Sequence, residues 1–405
     1  MNQTSKRFLE ALKASLKRET IYWDDMSAEE WKKLFRFSEI HQLLPMIYQC
    51  VYKCLASQGH ADVIKVGDRK TMNQIARQVT KTTEFLTLYK QLCELGAKPL
   101  VLKGLICRNL YPNPDQRPST DEDILILPEH FEQCHECCLD FGMHLLRENQ
   151  DIISGYEVSY WKDNTKLYIE LHKALFPTES KAYGDLNQLF EGVHERAIQE
   201  NIQGTDIYTL SHTDHLLFLI CHALKHFIAG GFGIRQVCDI TLFANKYGSQ
   251  IDWEFIMECC KSISAVKLAA GIFRIGEKYL TFDPEQACYP KIWGEIEVDE
   301  ELLLADMLTG GILGNSSKGR VHSHSITIHA VASQKDDVVS KNKFWGILFP
   351  SRKYMARKYK YLDRYPYLLP IAWISRVFQY GMDMDKKDNN PAQSMKIGEE
   401  RIELL

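Results

Sequence analysis

Thr120–Pro128 reads TDEDILILP, and this run decides the fold. Ile124 to Leu127 is apolar and β-prone, and Pro128 closes it, so a buried strand is expected over Asp121 to Leu127. Three acids crowd its start: Asp121, Glu122 and Asp123. Strand alternation puts Asp121 and Asp123 on one face, roughly 7 Å apart. Like charges so placed repel unless a cation lies between them. Hard divalent ions take oxygen ligands and leave room for substrate phosphates. An acidic strand end facing water has the same pattern, so the neighbouring segments must decide.

Upstream, Lys98–Leu102 (KPLVL) reads as a second short strand after Gly96. Gly104 to Leu110 can start a helix, and Pro112, Pro114 and Pro118 make Tyr111 to Ser119 a loop. Lys103-Gly104 therefore falls at a strand-to-helix junction. Glycine permits close backbone approach, a helix start favours anions, and Lys103 adds a point charge for phosphate. The bland alternative is a tight turn with a solvated lysine. Downstream, Pro128 to Phe141 reads as a helix stopped by Gly142. Tyr156 to Trp161 and Lys166 to His172 alternate and form a hairpin turning at Asp163-Asn164. Glu170 lies on its second strand. If that strand pairs beside the first, three carboxylates converge, which suits metal-assisted phosphoryl or nucleotidyl transfer.

Helical periodicity fills both flanks. Phe8, Leu9, Leu12 and Leu16 share a face, Ser27 with Glu30 makes a capping box, and Gln74 to Leu95 is a long helix ending at Gly96. His215 to Phe227, Ile234 to Tyr247, Trp253 to Tyr279 and Met355 to Gly381 are the later helices. The expected organisation is a helical region at 1–95, an α/β domain at 96–205 and a helical domain at 206–312. A polar linker at 313–343 and a C-terminal helical segment with a mobile tail at 344–405 complete it.

The 405 residues are 45% hydrophobic and 25% charged, as in a globular chain. Lys plus Arg number 49 against 53 Asp plus Glu, a net charge of -4, which disfavours a general nucleic-acid coat but leaves a local basic patch open. No apolar run reaches the roughly 18 residues of a membrane span, and the N-terminus lacks a signal-peptide core. A cytoplasmic protein is expected, and its 12 cysteines read as small buried hydrophobes rather than a disulfide framework.

Four other features bear on function. Cys134-His135-Glu136-Cys137-Cys138 lacks the second pair that structural zinc needs. His222 and His226 share a helix face, without the glutamate of a zinc protease. They read either as substrate contacts or as half-buried histidines bonded to backbone. Residues 352–376 interleave bases with aromatics, which suits RNA or an anionic membrane surface, but a solvated amphipathic helix is favoured. His322, His324 and His329 sit in the polar linker and read as mobile.

Taken together, Lys103-Gly104, Leu110-Tyr111-Pro112, Arg117, Asp121, Asp123 and Glu170-Leu171-His172 resemble an uncharacterised bacterial nucleotidyltransferase-like family of the polymerase-β superfold. Cys221-His222, Lys225-His226, Gly233, Arg235 and Asp239 are similar to that family's helical block, and the likeness runs from His41 to about Arg376. The resemblance implies an α+β fold: a small mixed-sheet, polymerase-β-like domain flanked by N- and C-terminal helical regions. It implies transfer of an NMP from an NTP, ATP by default, to a hydroxyl acceptor such as a sugar or small metabolite, with release of pyrophosphate. Asp121, Asp123 and Glu170 would hold Mg2+ (or Mn2+) and carry catalysis. Lys103, Gly104 and Arg117 would bind phosphates. His172, His222, His226, Arg235 and Asp239 would contact substrate. Lys-Gly stands where better-studied members have Gly-Ser. Glu122 stands where an apolar residue is usual, and reads as an exposed edge or a further cation ligand. These departures keep open an inactive nucleotide-sensing or partner-binding module. The same fold acting on RNA or protein also stays open.

Overall fold

The computed structural model describes residues 1–311 apart from 148–151, 154, 181 and 183, together with 352, 355, 359, 361–375, 401 and 404. The expected linker at 313–343, its three histidines, the tail from Asp383 to Gln393, and Lys353, Arg357 and Lys360 lie outside the described residues.

Four helices open the chain: α1 (Gln3–Leu16), α2 (Ala28–Ile40), α3 (Leu44–Ser57) and α4 (Ala61–Glu94). Asn2 caps α1 by accepting from the Ser5 amide at 2.9 Å. Ser27 and Glu30 form the expected reciprocal capping box on α2. Helix α4 starts well before Gln74. Its first turns bury only Val63, Gly67 and Thr71, too little apolar surface to announce a helix in sequence.

The sheet holds β1 (Leu100–Val101), β2 (Glu122–Leu125), β3 (His144–Leu145), β4 (Glu157–Lys162) and β5 (Leu167–His172), in the order β1-β2-β5-β4-β3. Only β2 and β5 run parallel, so the sheet is mixed. Their register sets Asp123 beside Glu170. The short helix α5 (Leu105–Arg108) joins β1 to β2, and α6 (Phe131–Asp140) follows β2. A second hairpin, β6 (Ile198–Ile202) with β7 (Thr205–Thr209), was not anticipated. Its two-residue turn has positive φ at both Gln203 (51°) and Gly204 (76°), which suits strand twist. Gln-Gly is a weaker hairpin signal than Asn-Gly or Asp-Gly.

Helices α7 (His212–Ala229), α8 (Ile234–Tyr247), α9 (Trp253–Ser262), α10 (Val266–Tyr279) and α11 (Glu300–Gly310) complete the main body. The single helix expected over Trp253 to Tyr279 is two, because Ser264 takes a left-handed φ of 55° between them. The helix expected from Met355 is also interrupted. Tyr361–Arg364 is helical, and a 3-10 turn at Pro366–Leu368 follows, where Pro366 cannot donate to a continuing helix. The fold is thus α+β, with a small mixed sheet flanked by helices.

One hydrophobic cluster joins α1 to α3 with α7 to α11. A second lies under the sheet with the end of α4 and α6. All twelve cysteines are free, and most are buried. Cys134 and Cys138 face the core, and His135 Nδ1 lies 2.6 Å from the Tyr160 hydroxyl. That motif gathers no metal-ligand cluster among the described residues. No described helix is long and apolar enough to cross a membrane.

Two histidines are locked into these cores. His41 sits between the rings of Phe8 and Phe37, with centroids 5.1 and 4.6 Å away. His215 Nδ1 meets Thr209 Oγ1 at 3.1 Å, and its ring packs on Phe243. Burial pushes their pKa down to about 4 for His41 and about 3 for His215. Both rings stay neutral in the fold, while the unfolded chain takes up protons near pH 6.5. Stability from these groups is complete above that pH and is lost as pH falls towards 4. Urea midpoints are therefore expected to drop between pH 7 and pH 5. An unchanged midpoint across that interval would contradict neutral, fully buried rings.

Candidate functional site

The site begins with a glutamate that points away from it. Glu122 is neither an exposed edge nor a cation ligand: it is 3% exposed and turned under the sheet. Its Oε1 accepts from Arg108 Nη1 at 2.5 Å and from Ser119 Oγ at 3.0 Å. Its Oε2 accepts from the Leu105 amide at 2.7 Å. Arg108, itself 1% exposed, also reaches Ser119 and donates to Thr82 Oγ1 at 3.2 Å. The first amide of α5 is thus taken by Glu122. Gly104 is required here, because φ is +53° and a Cβ would fall 2.1 Å from Glu122 Oε2. Its glycine serves the glutamate's approach from below.

Since Glu122 points inward, its neighbours point out. Asp121 lies one residue before β2, and Asp123 lies within it. Lys103 Nζ sits between them, 3.4 Å from Asp121 Oδ2 and 3.1 Å from Asp123 Oδ2. Burial works against its charge, but Asp121, Asp123 and Glu170 outweigh that and raise its pKa. A lysine ammonium therefore stands where the sequence suggested a cation between two carboxylates.

Asp123 has a second set of partners. His172 Nε2 lies 3.2 Å from Asp123 Oδ1 and 3.5 Å from Glu170 Oε2. Tyr168 donates to Glu170 Oε1 at 2.9 Å. Burial alone would keep His172 neutral, but Asp123 and Glu170 raise its pKa to about 9. Burial lifts Glu170 as well, and the His172 contact more than reverses this, leaving it below the usual carboxylate range. Asp123, Glu170 and His172 bring one ligand atom each within 4.8 Å of one another. Asp123 Oδ2 is buried and makes no hydrogen bond of good geometry, which leaves a free lone pair beside the ammonium. Two hard oxygens and an imidazole form a donor set that fits a divalent cation such as Mn2+ or Mg2+. Asp121, expected among the ligands, lies outside this close group. His172, expected as a substrate contact, lies inside it.

Helices α7 and α8 form the opposite wall. His222 Nε2 lies 3.1 Å from Lys103 Nζ, and His226 Nε2 lies 3.2 Å from His222 Nε2. Burial and the nearby Lys103 hold both imidazoles well below their ordinary pKa, so His222 accepts from the ammonium as a neutral ring. Arg117 and Asp239 meet each other: Nε donates to Oδ1 at 3.0 Å, Nη2 meets Oδ2, and Tyr111 donates to Oδ1 at 2.7 Å. Arg235 Nη1 donates to Gln42 Oε1 at 2.6 Å and to the Pro118 carbonyl at 2.7 Å. Between these walls runs a cleft lined by Lys103, Gly104, Ser119, Asp121, His222 and Arg235, among others.

The structure brings Asp121, Asp123, Glu170, His172, Lys103, His222 and His226 into one connected group. It sets Arg117 and Asp239 against each other in the cleft wall. Sequence reasoning missed Arg108 and Ser119. Their signal was an acid buried on the inner face of β2, which demands a counter-charge.

The family model for an uncharacterised nucleotidyltransferase matches residues 27–281. The chain belongs to this nucleotidyltransferase family. No curated protein and no solved structure matches it.

Removing Glu122 tests this foundation. Glu122→Ala leaves the Arg108 guanidinium buried without a counter-charge, at a cost of about 3–5 kcal/mol. Urea unfolding is expected to show a loss of that size. A loss below about 1 kcal/mol would mean that the pair is not the anchor described.

Proposed function

We propose that this protein transfers an NMP from an NTP to a hydroxyl acceptor and releases pyrophosphate. The observation that carries this reading is the register pairing of Asp123 with Glu170, in a family of nucleotidyltransferases, beside a cleft that presents Lys103. The acceptor oxygen would attack the α-phosphorus while the bond to the bridging oxygen of pyrophosphate breaks. A divalent cation, when bound, would draw charge off the phosphoryl oxygens. Asp123, Glu170 and His172 would hold it, with Asp121 at the edge of the set.

The chain's own groups do the rest. Lys103 would move its charge from the carboxylates to the phosphates. The acceptor's proton would pass to Glu170, whose lowered pKa makes it a weak base. Catalysis would therefore rest on positioning and charge neutralisation more than on proton transfer. ATP is the default donor, and a sugar or small metabolite the favoured acceptor.

A second reading has its own support. Lys103 already neutralises Asp121 and Asp123, as a cation would. A nucleotide-sensing or partner-binding module could bind without metal and without turnover. Calorimetric titration with each NTP, with and without Mg2+ or Mn2+, separates the two. The transferase reading expects metal-dependent binding, lost in Asp123→Asn with the fold unchanged by circular dichroism. Metal-independent binding favours the module.

Turnover should fall at least about a hundredfold in Asp123→Asn. Full activity in that variant would end the carboxylate role. Because the close donor set includes an imidazole, Mn2+ is expected to bind more tightly than Mg2+. His172→Asn should narrow that difference, and calorimetry with each metal alone reads it without any turnover.

A further inference from the structure

The cleft wall carries a guanidinium that no carboxylate pairs with among the described residues. Arg117, its neighbour in the wall, is fully matched by Asp239. Arg235 is different: both of its hydrogen-bond acceptors, Gln42 Oε1 and the Pro118 carbonyl, are neutral. No carboxylate pairs with it among the described residues, and its Nε is buried without a hydrogen-bond partner. A guanidinium cannot shed its charge by losing a proton. Holding it half-buried, without a paired carboxylate and beside Arg117, opposes stability, and the more distant charges of Asp239 and Asp121 offset only part of that. The same arrangement suits capture of an anion, because a guanidinium fork binds phosphate oxygens through paired N–H groups.

The place of the cleft says which anion. Glu170, on the acceptor side, does not line it, whereas Asp121, Lys103 and Arg235 do. In an in-line displacement the leaving group departs opposite the attacking oxygen. With the acceptor beside Glu170, the pyrophosphate end of the donor points along Lys103 towards α8. We infer that Arg235 is the receptor for the terminal phosphates of a nucleoside triphosphate, and that it makes the site select triphosphates over shorter nucleotides. The inference rests on the transferase reading for its ligand class, but the anion site itself can be tested separately.

The experiment is calorimetry on the full chain with ATP, ADP, AMP and inorganic tripolyphosphate, in Mg2+. A charged hydrogen bond to phosphate contributes about 1.5–3 kcal/mol, a factor of roughly 10 to 100. Arg235→Gln is expected to weaken ATP and tripolyphosphate by that factor while leaving AMP unchanged, so the preference for ATP over AMP collapses. Arg235→Lys keeps the charge and should recover part of it, even if loss of the Gln42 and Pro118 contacts unsettles the glutamine variant. Folded variants that keep the wild-type preference overturn the inference. Arg235-dependent binding of tripolyphosphate without any nucleotide binding keeps the anion site and removes the nucleotide reading. Binding of neither overturns both.

Discussion

The buried pair of Arg108 and Glu122 is the constraint on which the site depends. Glu122 is held by the Arg108 guanidinium and the Leu105 amide, both from α5, and by the Ser119 hydroxyl from the loop before β2. Ser119 in turn takes Gln78 Oε1 through its amide, and Arg108 reaches Thr82, so α4 is tied in as well. A buried pair of this kind adds little net stability over an apolar one, but breaking it is expensive. What it contributes is register. With Glu122 fixed inward, strand alternation has one solution: Asp121 lines the cleft, and Asp123 lies buried beside Lys103. The junction Lys103-Gly104 is fixed by the same carboxylate, because only glycine fits against it. One inward acid thus sets three outward functional groups.

The sequence carried the carboxylate face because period-2 alternation is a local property. Asp121, Asp123 and Glu170 needed only two strands to be recognised, and the parallel pairing then set Asp123 against Glu170. Lys103 and Gly104 were legible as a junction, though not in their geometry. Three-dimensional charge pairing was not legible. Arg117 and Asp239 are far apart in sequence, and nothing in either segment announces the other. Glu122 looked anomalous because its partner Arg108 lies across a loop. The same limit hid the place of His172: only the fold shows its Nε2 reaching both acids. Helix breaks at Ser264 and Pro366 were missed for a simpler reason. Apolar periodicity persists across both, and periodicity is blind to a single left-handed residue or a missing donor.

The two walls of the cleft differ in how they handle charge. On the sheet side every described charged group has a counter-charge: Lys103 with Asp121 and Asp123, and His172 with Asp123 and Glu170. On the helical side His222 and His226 are neutral, Arg117 is matched, and Arg235 is not. The neutral histidines matter here. A protonated His222 beside Lys103 would repel it, whereas a neutral ring accepts from the ammonium and helps to aim it. The helical wall therefore helps to aim the Lys103 ammonium of the sheet wall without competing with it.

Lys103 then links metal and nucleotide in one balance. It occupies the space between Asp121 and Asp123, so these acids do not repel each other in the resting chain. If the ammonium turned to a polyphosphate, it would uncover Asp121 on the cleft wall and the buried Asp123 behind it. Their mutual repulsion then favours a divalent cation at that place. In the reverse order, a cation bound first would displace the ammonium towards the cleft, where it would meet phosphate. Linkage makes the two effects equal in free energy. On the transferase reading, lysine in place of the Gly-Ser of better-studied members is therefore no loss of function. It would couple the binding of the metal to the arrival of the donor.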